Sequence, residues 1–167
     1  MLIFQGTWRL LYFIYLHTTF TSMIKIDYPL KKPAIKNEDG KEYILCGVRK
    51  RWVVLSPEEW VRQNFILYLT GILHYPLSLM AVEKKITIGQ MQKRFDIVLY
   101  ATATEPFMLV ECKEMNVALG PAVLEQAMRY NIGIQAPYLV ISNGLYMAAF
   151  KNEAGQFTEL KSLPVFE

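Results

Sequence analysis

The chain has 167 residues, 53% of them hydrophobic and 20% charged, enough for one domain with a buried core and too apolar for a disordered chain. Its net charge of +3 is compatible with a nucleic-acid partner without pointing to one. Two cysteines, Cys46 and Cys112, and two histidines, His17 and His74, are scattered. That spacing argues against a disulfide framework and a Cys/His zinc site, and a reducing, cytoplasmic location fits best.

Residues 1–22, MLIFQGTWRLLYFIYLHTTFTS, differ from the rest. Their apolar core, LLYFIYL, has seven residues, too few to span a bilayer. It has the length of a signal-peptide apolar region, but the basic start is thin and no cleavage site of small residues follows. The expectation is an extension upstream of a true start at Met23, with a packed extra element or an anchor as alternatives. Residues 23–167 then form a single domain with no membrane association.

Residues 29–42 read as a loop with a turn at Asp39-Gly40, and 42–55 as two short strands or one bent strand pair. In SPEEWVRQNFILYLTGILHYP, Ser56 is an N-cap, Pro57 fits the first helical position, and Glu59 stands where a capping box needs its acid. Val61, Phe65, Tyr68, Leu69 and Ile72 recur at helical spacing, and His74-Tyr75-Pro76 ends the helix. Strands follow at 79–88, 94–101 and 106–113, with a turn from Gly89. The last two strands are joined by a connection of hairpin length, Thr102 to Glu105. Gly120-Pro121 opens a second helix, closed near Gly133. Strand 137–144, with a turn at Asn143-Gly144, and two edge strands complete a mixed α/β sandwich around a central sheet.

The chemistry concentrates at Glu111-Cys112-Lys113. Alternation in a strand puts Glu111 and Lys113 on one face and Val110 and Cys112 on the other. A hairpin can bring Asp96 beside Glu111. Two close carboxylates repel each other unless a cation sits between them, and a hard divalent ion with oxygen ligands, Mg²⁺ first, suits them. Lys113 can then orient or deprotonate a water, or stabilise charge building on a phosphoryl oxygen. The E-x-K triplet alone is weak, and a surface Glu111–Lys113 ion pair would also explain it. A second copy, Glu83-Lys84-Lys85, has no Asp on a strand before it.

The Asp96-x(14)-Glu111-x-Lys113 arrangement resembles the PD-(D/E)xK nuclease superfamily, with Phe95 where that pattern has Pro. With SPEEWVRQNFILYL, RFDIVLY, LVECK and EQAMRYN in order, residues 42–145 look like the N-terminal nuclease domain of type I restriction enzyme R subunits. The resemblance implies a restriction-endonuclease-like core, a central mixed β-sheet flanked by helices. It implies Mg²⁺ (or Mn²⁺) held by Asp96, Glu111 and the Cys112 carbonyl, with Lys113 acting on the water and the transition state. It also implies an acid on the preceding helix. At about 100° per residue, Glu58 falls on the apolar stripe and Glu59 off it, so Glu58 is expected to point inward with Arg62 as its partner. Compensation of the helix dipole would also account for Glu58. Gln126 and Tyr130 match a Q-x-x-x-Y motif, implying that Gln126 helps place the scissile backbone or the water and Tyr130 contacts nucleic acid.

The basic clusters Arg49-Lys50-Arg51, Lys84-Lys85 and Lys93-Arg94 would touch phosphates without reading sequence, although solvated faces explain them equally. No phosphate-binding loop is present. The expected function is therefore Mg²⁺-dependent cleavage of DNA by a stand-alone module without a helicase motor. The chain acts alone, as a homodimer, or with a larger complex that supplies specificity. A non-catalytic nucleic-acid-binding or regulatory module and an RNA-directed nuclease are the rival readings.

Overall fold

The computed structural model describes residues 23–88, 91–102, 104–131 and 133–166. The extension at 1–22 and the turn expected at Gly89 lie outside the described residues. Strand β1 (Ile24–Lys25) precedes a small antiparallel sheet of β2 (Ile35–Glu38), β3 (Lys41–Cys46) and β4 (Arg51–Val54). Helix α1 (Pro57–Gly71) follows, then a 3-10 turn (Leu77–Leu79), β5 (Met80–Ile88), β6 (Met91–Tyr100) and β7 (Pro106–Cys112). Helix α2 (Pro121–Asn131), β8 (Tyr138–Ser142), β9 (Tyr146–Glu153) and β10 (Gln156–Leu160) complete the chain.

Among the described residues the central sheet has seven strands in the order β1-β9-β8-β7-β6-β5, with β10 also paired to β9. Only β7 and β8 run parallel, so the sheet is mixed. The connection that makes them parallel is α2, as a crossover requires. Helix α1 starts as the sequence indicates: Ser56 Oγ accepts from Glu59 N at 3.1 Å, and Pro57 occupies the first turn.

Alternation sorts the strands onto two faces. Ile97, Leu99, Met108, Val110, Cys112, Val140, Met147 and Ala149 pack with Val61, Phe65 and Leu69 of α1. Val98, Leu109, Leu139, Ile141, Ala148 and Phe150 pack with Leu124, Ala127 and Met128 of α2. Each helix therefore covers one face of the sheet. The turn between β8 and β9 fits closely against α1. Gly144 has φ +86°, and a Cβ there would lie 3.0 Å from Val61 Cγ2, so this turn needs glycine for both conformation and space.

On β6 the alternation breaks at Asp96. Phe95 joins the α2-side core although Ile97 faces α1. On the neighbouring strand Val82 pairs with Ile97 and Lys84 with Phe95, while Glu83 between them adopts φ +49°. A left-handed non-glycine residue costs of order 1–3 kcal/mol and persists only where surrounding contacts hold it. Here the contacts are ionic, and they position the site.

Candidate active site

The β6–β7 register reaches Ile97 opposite Val110, and Asp96 and Glu111 are the next residues along each strand. Asp96 Oδ2 accepts from Cys112 N at 2.8 Å, so the carboxylate is fastened to the strand that carries Glu111. Lys113 Nζ donates to Glu111 Oε1 at 2.7 Å, with both side chains about one-fifth exposed, 21% and 20%. Val110 and Cys112 are buried on the α1 face. Strand alternation therefore separates a packing face from a charged face within one short segment.

Glu111 carries more negative surroundings than Lys113 balances. Burial, then the Asp96 carboxylate, with Glu58 adding, raise its pKa against the opposing pull of Lys113. Burial works against the Lys113 charge, but the bond to Glu111 and the nearby Asp96 and Glu58 outweigh it and raise the Lys113 pKa. Lys113 is thus held as an ammonium. The Cys112 thiol is pushed well up, by burial first and Asp96 second, which leaves it a packing group and not a nucleophile.

The helix acids are placed the other way round from the angular expectation. Glu58 is exposed and Glu59 is buried. Helix α1 buries Glu59, Arg62, Gln63 and Ile66 as well as its apolar stripe, so one stripe did not define its inner face. Arg62 binds Glu59 Oε2 and donates to Asp96 Oδ1 at 2.5 Å; it does not pair with Glu58. Glu59 Oε1 also accepts from Gln63 Nε2 at 2.7 Å and Arg49 Nη2 at 3.2 Å, so its carboxylate is not the return arm of a capping box. Glu58 still acts electrostatically on Glu111 and Lys113 from the outer side.

Glu83 is the residue that sequence reasoning set aside. It binds Arg49 and lies 3.7 Å from Arg62 and 3.6 Å from Arg94. Its pKa is lowered: burial opposes this, but Arg62, Arg49 and Arg94 prevail. No strand periodicity announces this role, because it depends on the left-handed turn at Glu83 itself.

On the α2 side, Gln126 Nε2 and Lys93 Nζ both donate to the Tyr130 hydroxyl at 3.0 Å, and Lys93 Nζ lies 4.3 Å from the Tyr130 ring centre. Lys93 first and Gln126 second lower the Tyr130 pKa. Asn131 holds the loop after α2 through Ala136, accepting from its N–H at 2.9 Å and donating to its carbonyl at 3.0 Å. Of the basic residues, Lys50, Arg51, Lys84, Lys85 and Arg94 are exposed, whereas the Arg49 and Arg62 guanidinium groups are already paired inside the protein. A groove of about 480 Å³, lined by Glu42, Leu55, Ser56, Trp60, Glu114 and Met115 among others, opens against the loop that follows Lys113.

The donor set suits a hard cation. Asp96, Glu111 and the Cys112 carbonyl are oxygen donors, and burial first and the Asp96 charge second raise the pKa of Glu111. No cluster of three or more His, Cys, Asp or Glu side chains with metal-binding geometry is found among the described residues. Mg²⁺ needs none, since it is commonly held by one or two carboxylates with water completing its shell.

Among the described residues no helix is long and apolar enough to cross a membrane. No curated protein matches the chain. Among solved structures, a fragment described as an HsdR subunit of a type I restriction enzyme from Vibrio vulnificus YJ016 is similar, with a TM-score of 0.51 and 18% identity. The match covers 66% of this chain and 24% of that one, so this chain spans about a quarter of that protein, and the likeness shows a restriction-endonuclease-like fold. The family model for the type I restriction enzyme R protein N terminus matches residues 57–164, from the first residue of α1 to beyond β10. The chain belongs to the family of type I restriction enzyme R protein N-terminal domains.

Proposed function

We propose that this chain is a nuclease module that hydrolyses phosphodiester bonds in DNA with Mg²⁺, or Mn²⁺ in its place. The carrying observation is the Glu111–Lys113 pair at 2.7 Å beside an Asp96 that is fastened to the Cys112 N–H at 2.8 Å. Asp96, Glu111 and the Cys112 carbonyl would hold the ion, which would supply Lewis-acid polarisation of the phosphodiester. Lys113, kept as an ammonium, is suited to orient the water and to stabilise charge building on the phosphoryl oxygens, and less suited to remove a proton. Glu58, whose negative charge acts on Glu111 and Lys113 from an exposed position, would support the ion or a second one. Gln126 and Tyr130, linked to each other and to Lys93, would place the backbone of the strand to be cut.

The exposed Arg51, Lys84, Lys85 and Arg94 supply a phosphate-binding surface that reads charge and not sequence. Family membership supports assembly within a larger restriction-type complex and an intracellular site of action. A plasmid-nicking assay with Mg²⁺ or Mn²⁺ tests the reading. Asp96→Asn and Lys113→Ala, checked for folding by circular dichroism, should each lose about 10²-fold or more in rate. Undiminished cleavage in both variants would sink the assignment. A protein that binds DNA with a steep salt dependence yet binds no divalent ion would favour the non-catalytic module.

A further inference from the structure

Asp96 is occupied on both oxygens, by Arg62 Nη2 at 2.5 Å and by Cys112 N at 2.8 Å. Arg62 is a buried cation whose side chain is 5% exposed. Its Nε has no hydrogen-bond partner among the described residues, so the two Nη groups alone aim the guanidinium. One Nη group serves Asp96 and the other Glu59. Glu59 is in turn fixed by Gln63 and Arg49, and Arg49 by Glu83. A carboxylate that faced an unshared arginine would have its charge neutralised and would attract a dication less. Here the Arg62 charge is divided between Asp96 and the buried Glu59, with Glu83 a further 3.7 Å contact.

We propose that Glu59 is a positioning residue that sets the divalent-cation affinity of Asp96 by holding and charge-balancing the Arg62 guanidinium. This rests on the nuclease reading above and deepens it, since it makes a buried helix residue, remote from substrate, part of the cation site. Removing the Glu59 charge leaves Arg62 to act on Asp96 with only the more distant Glu83, at 3.7 Å, to share it, and cation binding weakens. Removing both charges restores the balance, because Glu83 keeps Arg49 as its own partner.

The test is calorimetric titration of the full chain with Mn²⁺ alone, with folding followed by circular dichroism. Glu59→Gln should bind Mn²⁺ about tenfold more weakly, the effect of one nearby uncompensated charge at an intermediate dielectric. The double variant Glu59→Gln/Arg62→Met should return to within about threefold of wild type. A purely structural role predicts the reverse order, with the double variant worst. If Glu59→Gln does not fold, Glu83→Gln, at the more exposed end of the network, carries the same test with about threefold weakening expected. Wild-type affinity in whichever single variant folds, or a double variant weaker than Glu59→Gln, overturns the proposal while the nuclease reading stands. A wild-type chain that binds no Mn²⁺ overturns both.

Discussion

Two Glu-x-Lys triplets lie on the strands at either side of β6, at Glu83 and Glu111, and they behave oppositely. Glu83 is left-handed at φ +49°, ringed by Arg49, Arg62 and Arg94, and its pKa is lowered. Lys84 and Lys85 beside it are exposed. Glu111 sits in extended strand, its cation is Lys113 alone, and its pKa is raised. Asp96 lies between them, one oxygen bound to Arg62 and the other to the Cys112 N–H. The triplet is the same, but three arginines lower the pKa of one carboxylate, whereas burial and the Asp96 charge raise that of the other against the pull of Lys113. Neighbours and not the motif set the two apart.

The largest effect that would sharpen this contrast is on cleavage. Lys113→Ala should cost about 10²-fold or more in rate, whereas Lys85→Ala, the matching position of the other copy, should change the rate at saturating DNA by less than about twofold. Equal losses would erase the distinction. Stability should rank the other way. Arg62→Ala strands Glu59 and Asp96 without their buried partner and should cost about 3–5 kcal/mol in urea unfolding. Lys113→Ala, at a partly exposed pair, should cost about 1 kcal/mol or less.

The acid limb separates the two glutamates by sign. Glu83, lowered in the folded state, contributes stability that is present above its ordinary value of 4.5 and lost as pH falls through the lowered value. Glu83→Gln should flatten that loss. Glu111, raised in the folded state, imposes a penalty that grows as pH rises from 4.5 through its raised value. Glu111→Gln should therefore gain on wild type toward neutral pH in metal-free unfolding curves. The smallest expected effect is on α2: Gln126→Ala should move the Tyr130 titration, followed by NMR, part of the way back toward 10.0.

Much of the fold was legible because its signals are local. Ser56 and Pro57 mark the start of α1, the alternation from Phe107 to Cys112 marks a two-faced strand, and Gly120-Pro121 and Asn143-Gly144 mark boundaries. Strands β1 and β2 were not anticipated. β1 is two residues long, β2 lies in a stretch read as loop, and pairing defines both. The same limit applies at the site. Sequence separates Glu111 and Lys113 from Val110 and Cys112, because a strand enforces it. It could not choose Glu59 over Glu58, since α1 is buried on more than one side and a buried carboxylate is recognised by its arginines. One of those arginines, Arg62, lies a turn further along the same helix, and the other, Arg49, reaches Glu59 from the β3–β4 turn. Glu83 was hidden for the same reason.

The most direct test of the central claim is the position of a Mn²⁺ ion located by anomalous scattering in crystals of the wild-type chain. The account predicts one ion between Asp96 and Glu111, within about 2.0–2.3 Å of an oxygen of each and of the Cys112 carbonyl. An ion bound elsewhere, or Asp96 held by Arg62 and Cys112 N with no ion beside it at saturating Mn²⁺, would contradict it.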